Sequence, residues 1–159
     1  MMHNLPDKVF LGGDHGGFKL KKRLVETLPQ LFPQLQFEDL GTYDDSSVNY
    51  PEYAAKVATR VSKGEGLGIL ICGSGIGVCI TANKFSNVRA ALAWDLTSAR
   101  LSREHNNANI LCLGERLLDP DLAIEICKTW LRTDFEGGRH QIRVDMIHEL
   151  EKGQSGGAS

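Results

Sequence analysis

The sequence has no basic surplus: 18 lysines and arginines face 20 aspartates and glutamates, a formal net charge of −2. A general nucleic-acid binder normally carries the opposite balance, so nucleic acid is set aside as a partner. No apolar run approaches the roughly 20 residues that span a bilayer, which sets aside a membrane partner as well. Met1 to Asp14 lacks a basic stretch followed by an apolar one, so no secretory signal is read there and a cytoplasmic location is expected. Cysteines are few (Cys72, Cys79, Cys112 and Cys127), with no CxxC pair and no regular framework. Free thiols in a reducing compartment fit this better than disulfides or zinc. Proline is scarce, with five in 159 residues, and nothing repeats. What is present is ordinary: 42% hydrophobic and 24% charged residues with 17 glycines, the composition of one globular domain. That domain is expected over residues 1–152, with 153–159 a flexible C-terminal tail.

Short apolar runs alternate with longer helical ones. Lys8 to Leu11 reads as a first strand, ended by Gly12-Gly13. Phe18, Leu20, Leu24, Val25, Leu28 and Leu31 then recur at helical spacing. Phe37 to Leu40 is a weak second strand. Pro51 suits a helix start, with Ala54, Val57, Ala58 and Val61 as its apolar stripe. Leu67 to Cys72 is a continuous apolar run, the mark of a strand buried on both faces. A short helix is expected from about Val78 to Lys84, a fourth strand at Arg89 to Trp94, and a helix capped by Thr97 running towards His105. Ile110 to Leu113 makes strand five. Asp119-Pro120 opens the next helix, and a last one from about Arg139 to Lys152 presents Ile142, Met146, Ile147 and Leu150. Five strands separated by helices predict an α/β fold: a three-layer α/β/α sandwich around a doubly wound, Rossmann-like, five-stranded parallel sheet.

Such sheets bind ligands outside the carboxyl ends of their strands, where strand order reverses. Two glycine-rich loops compete for that place, Gly12 to Gly17 after strand one and Cys72 to Gly77 after strand three. If strand one lies beside strand three with strand two outside, both face one crevice. Glycines at 73, 75 and 77 let several backbone N–H groups converge on an anion, beside a helix start. A plain strand-to-helix turn is the bland alternative. A Rossmann fingerprint is weakened by the spacing, since Gly75 is followed by Gly77, although Asp95 is suitably placed for a ribose. A phosphatase loop fails because Val78 stands where an arginine is needed. A nucleophile elbow fails because Cys72, not glycine, lies two before Ser74.

Cys72 ends a buried strand at the glycine nest, where a helix N-terminus favours the thiolate. Cys79, Cys112 and Cys127 read as small core fillers. Asp14-His15 suits a polar ligand or a helix cap, and His105-Asn106-Asn107 follows a helix end, where a histidine is often only a favourable charge. Arg139 and Arg143, four apart, share a helix face and suit a phosphate, the ordinary alternative being a solvated surface. No His, Cys and carboxylate spacing suggests a metal.

Taken in order, these motifs resemble one family. Asp14-His15 with Gly17 to Lys21, Asn49-Tyr50-Pro51, Ile71 to Gly77, Ala82-Asn83-Lys84, Ser98 to Asn106, Leu113 to Arg116, and Glu136 to Val144 together look like the type B ribose-5-phosphate isomerases, relatives of the galactose-6-phosphate isomerase subunits. The match runs from about Val9 to Glu151. The resemblance implies interconversion of D-ribose 5-phosphate and D-ribulose 5-phosphate, as in the non-oxidative pentose phosphate branch, with no cofactor and no metal. It implies a homodimer or tetramer with active sites shared at a subunit interface. By the same resemblance Cys72 moves a proton between C2 and C1, and His105 opens the furanose ring. Asp14 and His15 contact the sugar, and Gly73, Ser74, Gly75, Ile76 and Gly77 hold the enediolate oxygen with help from Asn106. Arg116, Arg139 and Arg143 bind the phosphate. Members lacking the cysteine use a glutamate after the glycine loop; Val78 there marks this chain as a cysteine type. Ser74 stands where many members have threonine, and the region Pro29 to Pro33 is longer. A six-carbon sugar phosphate is the rival substrate. A non-catalytic module binding a nucleotide or phosphorylated sugar is the rival class, one that requires neither Cys72 nor His105.

Overall fold

The computed structural model describes residues 7–156. Its sheet has the order β2-β1-β3-β5-β4 with every neighbouring pair parallel, the strands being β1 (Lys8–Gly13), β2 (Gln36–Asp39), β3 (Leu67–Cys72), β4 (Ala90–Leu92) and β5 (Ile110–Gly114). Between them run α1 (Phe18–Leu31), α2 (Tyr50–Ser62), α3 (Ile76–Ala82), α4 (Leu96–Glu104) and α5 (Pro120–Arg132), followed by α6 (Arg139–Gly156). Leu20, Leu24 and Leu28 of α1 and Ile126 and Trp130 of α5 close one apolar layer against the sheet, with Ala99 of α4. Ala54, Val57, Ala58 and Val61 of α2 and Val78 and Ala82 of α3 close the other. All six residues of β3 are buried, because helices cover the sheet on both faces. The expected doubly wound sandwich is the observed one.

The chain steps from β1 outward to β2, then back past β1 to β3. The strand order therefore reverses between β1 and β3, and their carboxyl ends flank the crevice. Lys21, fully buried on α1, donates two 2.7 Å hydrogen bonds to the Asp39 carboxylate at the end of β2. The same carboxylate accepts the Gly41 N–H, so this ion pair anchors the loop that passes over the end of β1.

Several boundaries differ from the sequence reading, each for a local reason. Asp95, not Thr97, caps α4: its carboxylate accepts the Ser98 N–H at 2.6 Å while Ser98 Oγ accepts the Asp95 N–H at 3.2 Å, a reciprocal capping box. Helix α3 starts at Ile76 rather than Val78, because Gly75 takes a left-handed conformation and turns the chain at once. Strand β4 keeps only three of its six expected residues. Helix α6 continues to Gly156, past the end expected at Lys152, and the rest of the expected tail lies outside the described residues, as do the first six residues of the N-terminal stretch. The apolar face foreseen for α6 is real but uncovered. Ile142, Met146, Ile147 and Leu150 are 50–70% exposed, and among the described residues of that helix only His140 and Val144 are buried. Polar contacts hold its far half instead: Arg89 meets His148 at 3.1 Å, and Glu151 accepts the Asn87 N–H. No described helix is long and apolar enough to cross a membrane.

Candidate active site

Cys72 is the last residue of β3, paired in register with Gly114 of β5. Only 5% of it is exposed, and its sulfur accepts the Gly75 N–H at 3.2 Å. That bond depends on the left-handed turn at Gly75 (φ +79°), where a Cβ would also strike Leu92 at 2.6 Å and the Leu113 carbonyl carbon at 2.8 Å. Ser74 Oγ accepts the Ile76 N–H. Two N–H groups of the expected nest are thus already engaged by the loop's own side chains.

A cavity of about 530 Å³ opens over this loop, a size ordinary for a small-molecule site. Asp14, Cys72, Gly73, Ser74, Ile76, Gly77 and Arg116 line it, all of them expected, together with Tyr50, Ile80 and Leu117. Asp14 is buried and accepts the Gly16 N–H at 2.9 Å, capping the short turn before α1. The Arg116 guanidinium lies against Gly73, and the Tyr50 ring against Gly77. The loop after β5 is tied to Cys72 by backbone bonds from Glu115 to Cys72 and from Arg116 to Gly73. It is tied to α1 by the Glu115 carboxylate, which accepts the Leu20 N–H at 2.6 Å. Three loops from three strands are therefore cross-braced around one sulfur. His15 Nδ1 accepts the Val48 N–H, so a neutral ring carries its proton on Nε2 and is a donor there.

The remaining expected residues stand elsewhere. His105 is the C-cap of α4, before the start of β5, whereas Cys72 is level with the end of that strand. The four steps from Ile110 to Gly114 alone span about 13 Å. His105 and Cys72 thus sit at opposite ends of the sheet. Around His105 a second group gathers. Its ring stacks on that of His140, centroids 4.2 Å apart. Desolvation, His105 and the Arg139 and Arg143 guanidinium groups hold the His140 ring below the usual histidine range, against the pull of Glu136. Arg103, buried beneath, donates to the carbonyls of Ala108 and Thr133 and to the Asn107 side chain, fixing the turn that carries His105 and Asn106. Burial and the nearby Arg89 lower the Arg103 guanidinium to about 10, still a cation at neutral pH. Asn106 lines a separate hollow along α4 with Trp94 and Asp95. One chain therefore holds the expected site residues in two separate groups.

Sequence reasoning gave no role to Tyr50, Ile80, Leu117, Glu136 or His140, although Tyr50, Glu136 and His140 stand in the motifs that carry the resemblance. Tyr50 had a signal, an aromatic beside a helix-starting proline; His140 lies between the two arginines already singled out. Asp95, considered for a ribose, caps α4: one carboxylate oxygen accepts the Ser98 N–H, a bond that lowers its pKa. Cys112 and Cys127 are fully buried core fillers, but Cys79 is not simply one. The Cys112 thiol bonds to it and pulls it to about 7 against the effect of burial, while burial raises both Cys112 and Cys127. In a Cys72→Ala protein, iodoacetamide at pH 7 should alkylate Cys79 and spare Cys112 and Cys127. Peptide mass spectrometry reads this directly, and modification of Cys127 in the folded protein would contradict it.

Fold and cavity define a class: a doubly wound α/β protein with a small-molecule-sized cavity beside a thiol at its switch point. The sequence model of the Ribose/Galactose Isomerase family matches residues 9–147. Ribose-5-phosphate isomerase B of Escherichia coli is 43% identical over 146 residues, covering 91% of this chain and 97% of that protein. The solved ribose-5-phosphate isomerase B of Clostridium thermocellum superposes with a TM-score of 0.89 at 47% identity, over 92% of this chain and 99% of that one. The Mycoplasma genitalium ribose-5-phosphate isomerase B, solved with bound ribulose-5-phosphate, gives 0.87 at 44% identity, over 91% and 96%. The chain belongs to the Ribose/Galactose Isomerase family and is an enzyme of the aldose–ketose isomerase kind.

Proposed function

We propose that this enzyme interconverts D-ribose 5-phosphate and D-ribulose 5-phosphate, with Cys72 moving the proton. The observation that carries the reading is the Cys72 sulfur at the wall of an open cavity, held by the Gly75 N–H and faced by Asp14 and Arg116. In the forward direction the sulfur takes the C2 proton of the open-chain aldose, leaving an enediolate, and returns a proton to C1. Donors from the 73–77 loop and Asn106 stabilise the oxygen that gains charge; one such donor is worth roughly 10²–10³ in rate. Ring opening needs a group that takes up and gives back a proton, and His105 is assigned that role.

The site is completed by a second copy of the chain. A sugar phosphate at Cys72 cannot also reach His105, Arg139 and Arg143 of the same subunit, which lie at the far end of the sheet. The uncovered apolar face of α6 gives a second copy something to bury. Arg116 from one chain and Arg139 and Arg143 from the other then clamp the phosphate, and that remote binding energy aligns C1 and C2 with the sulfur.

The purified protein is expected to form ribulose 5-phosphate from ribose 5-phosphate, at an undiminished rate in EDTA. Hydrogen bonds to a charged group are worth about 1.5–3 kcal/mol, so Arg139→Ala or Arg143→Ala should raise KM roughly tenfold to a hundredfold and lower kcat as well. Turnover of a six-carbon phosphate alone would move the substrate assignment, and unchanged kinetics in both variants would return the pair to a solvated surface.

A further inference from the structure

Outside the cavity, the described residues hold a group with metal-ligand chemistry. His105, Glu136 and His140 each offer a donor atom, and the three atoms lie within 4.8 Å of one another. The His140 Nε2 to Glu136 Oε2 separation is 3.5 Å. Donors 2.0–2.2 Å from a tetrahedral ion stand roughly 3.4 Å apart, so binding closes the widest pair by up to about 1.4 Å and turns one of the two stacked rings so that both nitrogens face the ion. The sequence did not show it because His105 is thirty-one positions before Glu136.

Three separate backbone ties hold these residues. The His105 N–H donates to Leu101, the Glu136 N–H to Glu104 at 3.0 Å, and the His140 N–H to Gly137. Gly137 and Gly138 both take positive φ (+70° and +56°) with open space around them. The backbone turn, not crowding, requires glycine there, and that turn brings Glu136 and His140 back beside His105. Two imidazoles and one carboxylate are a borderline donor set. They suit zinc and its neighbours, whereas magnesium and calcium prefer all-oxygen ligands.

We propose that His105, Glu136 and His140 form a binding site for a first-row transition-metal ion of the zinc type, and that the ion inhibits the isomerase by occupying His105. The binding half stands on the cluster alone; the inhibitory half rests on the role given to His105 above. Arg139 and Arg143 flank the cluster and oppose a second cation, so the affinity expected is on the order of micromolar, weaker than that of structural zinc. The site is a brake rather than a resident cofactor.

The test is titration of the intact protein with zinc chloride, read by competition with a chromophoric zinc chelator and, in parallel, by isomerase rate. One zinc per chain should bind, with activity falling more than tenfold and returning on addition of EDTA. Glu136→Gln, which removes a ligand outside the proposed catalytic set, should keep its metal-free activity and need at least roughly tenfold more zinc for both binding and inhibition. His140→Ala should weaken zinc binding likewise, with circular dichroism checking its fold. Cys72→Ala should bind zinc like the wild type. Loss of binding in Cys72→Ala, or wild-type binding in both cluster variants, would overturn the site. Zinc bound as expected with undiminished activity would overturn the brake and leave the site. Because the chelator measurement needs no turnover, failure of the ribose 5-phosphate assay is read separately from failure of the metal site.

Discussion

Cys72→Ala should lose at least roughly a thousandfold in kcat while keeping its fold. A placed general base contributes about 10²–10⁴ in rate, and no other described group touching the sulfur can take its part: its hydrogen-bond partner is the Gly75 N–H, a donor. The structural cost of the change is small. The side chain is short, it ends a strand whose ladder bonds are backbone bonds, and the loop after it stays braced by the Glu115 and Arg116 N–H groups. Melting temperature should shift by no more than a few degrees. Because the phosphate contacts remain, KM should stay near the wild-type value, and the loss should fall on kcat. Cys79→Ala is the matched control. It removes a half-buried thiol from α3 without touching the cavity lining, and its activity should be retained. Substantial turnover in Cys72→Ala would end the proposed proton transfer.

Mixing two dead variants should restore activity. Cys72→Ala and His105→Ala are each expected to be inactive, since each removes one half of the proposed chemistry. If a site takes Cys72 from one chain and His105 from its partner, a mixed dimer holds one doubly defective site and one intact site. Equal amounts, unfolded together and refolded, pair at random, so about half the dimers are mixed and recovery approaches roughly a quarter of wild-type activity. The motive is geometric: β5 separates the two residues within a chain, with Gly114 level with Cys72 and His105 preceding the other end. No side-chain rearrangement closes about 13 Å of strand. Were both residues of a site supplied by one chain, every site would keep a defect and mixing would restore nothing. Mass spectrometry of the mixture confirms that mixed dimers formed, so a flat result is decisive against sharing and leaves the isomerase reading in place.

Local signals made the sheet and most helices legible. The alternation of apolar runs with helical stripes identified five strands, and the unbroken run Leu67 to Cys72 marked the one buried on both faces. Asp119-Pro120 opened α5 as expected, because a side-chain acceptor and a fixed φ act within one turn of the chain. Where the reading slipped, the competing interaction was also local but finer than composition. Thr97 is a plausible cap by type, yet Asp95 and Ser98 satisfy one another and start α4 earlier.

The near half of the site could be read because glycines and reactive side chains sit together in sequence where a parallel sheet exposes its strand ends. By itself the sequence nominated the residues to carry chemistry, from Asp14 and Cys72 to His105 and the arginine pair, through residue type, short spacing and the family resemblance together. Only the tertiary structure decided how they are divided. Strand direction and register put Cys72 and His105 at opposite ends of one sheet, a separation set by pairings such as Cys72 with Gly114 that link positions 42 residues apart. The same packing stacked His140 on His105 and left the α6 face uncovered. Contacts of that kind follow from which strand lies beside which, and hydrophobic periodicity along a single segment carries no record of its neighbours.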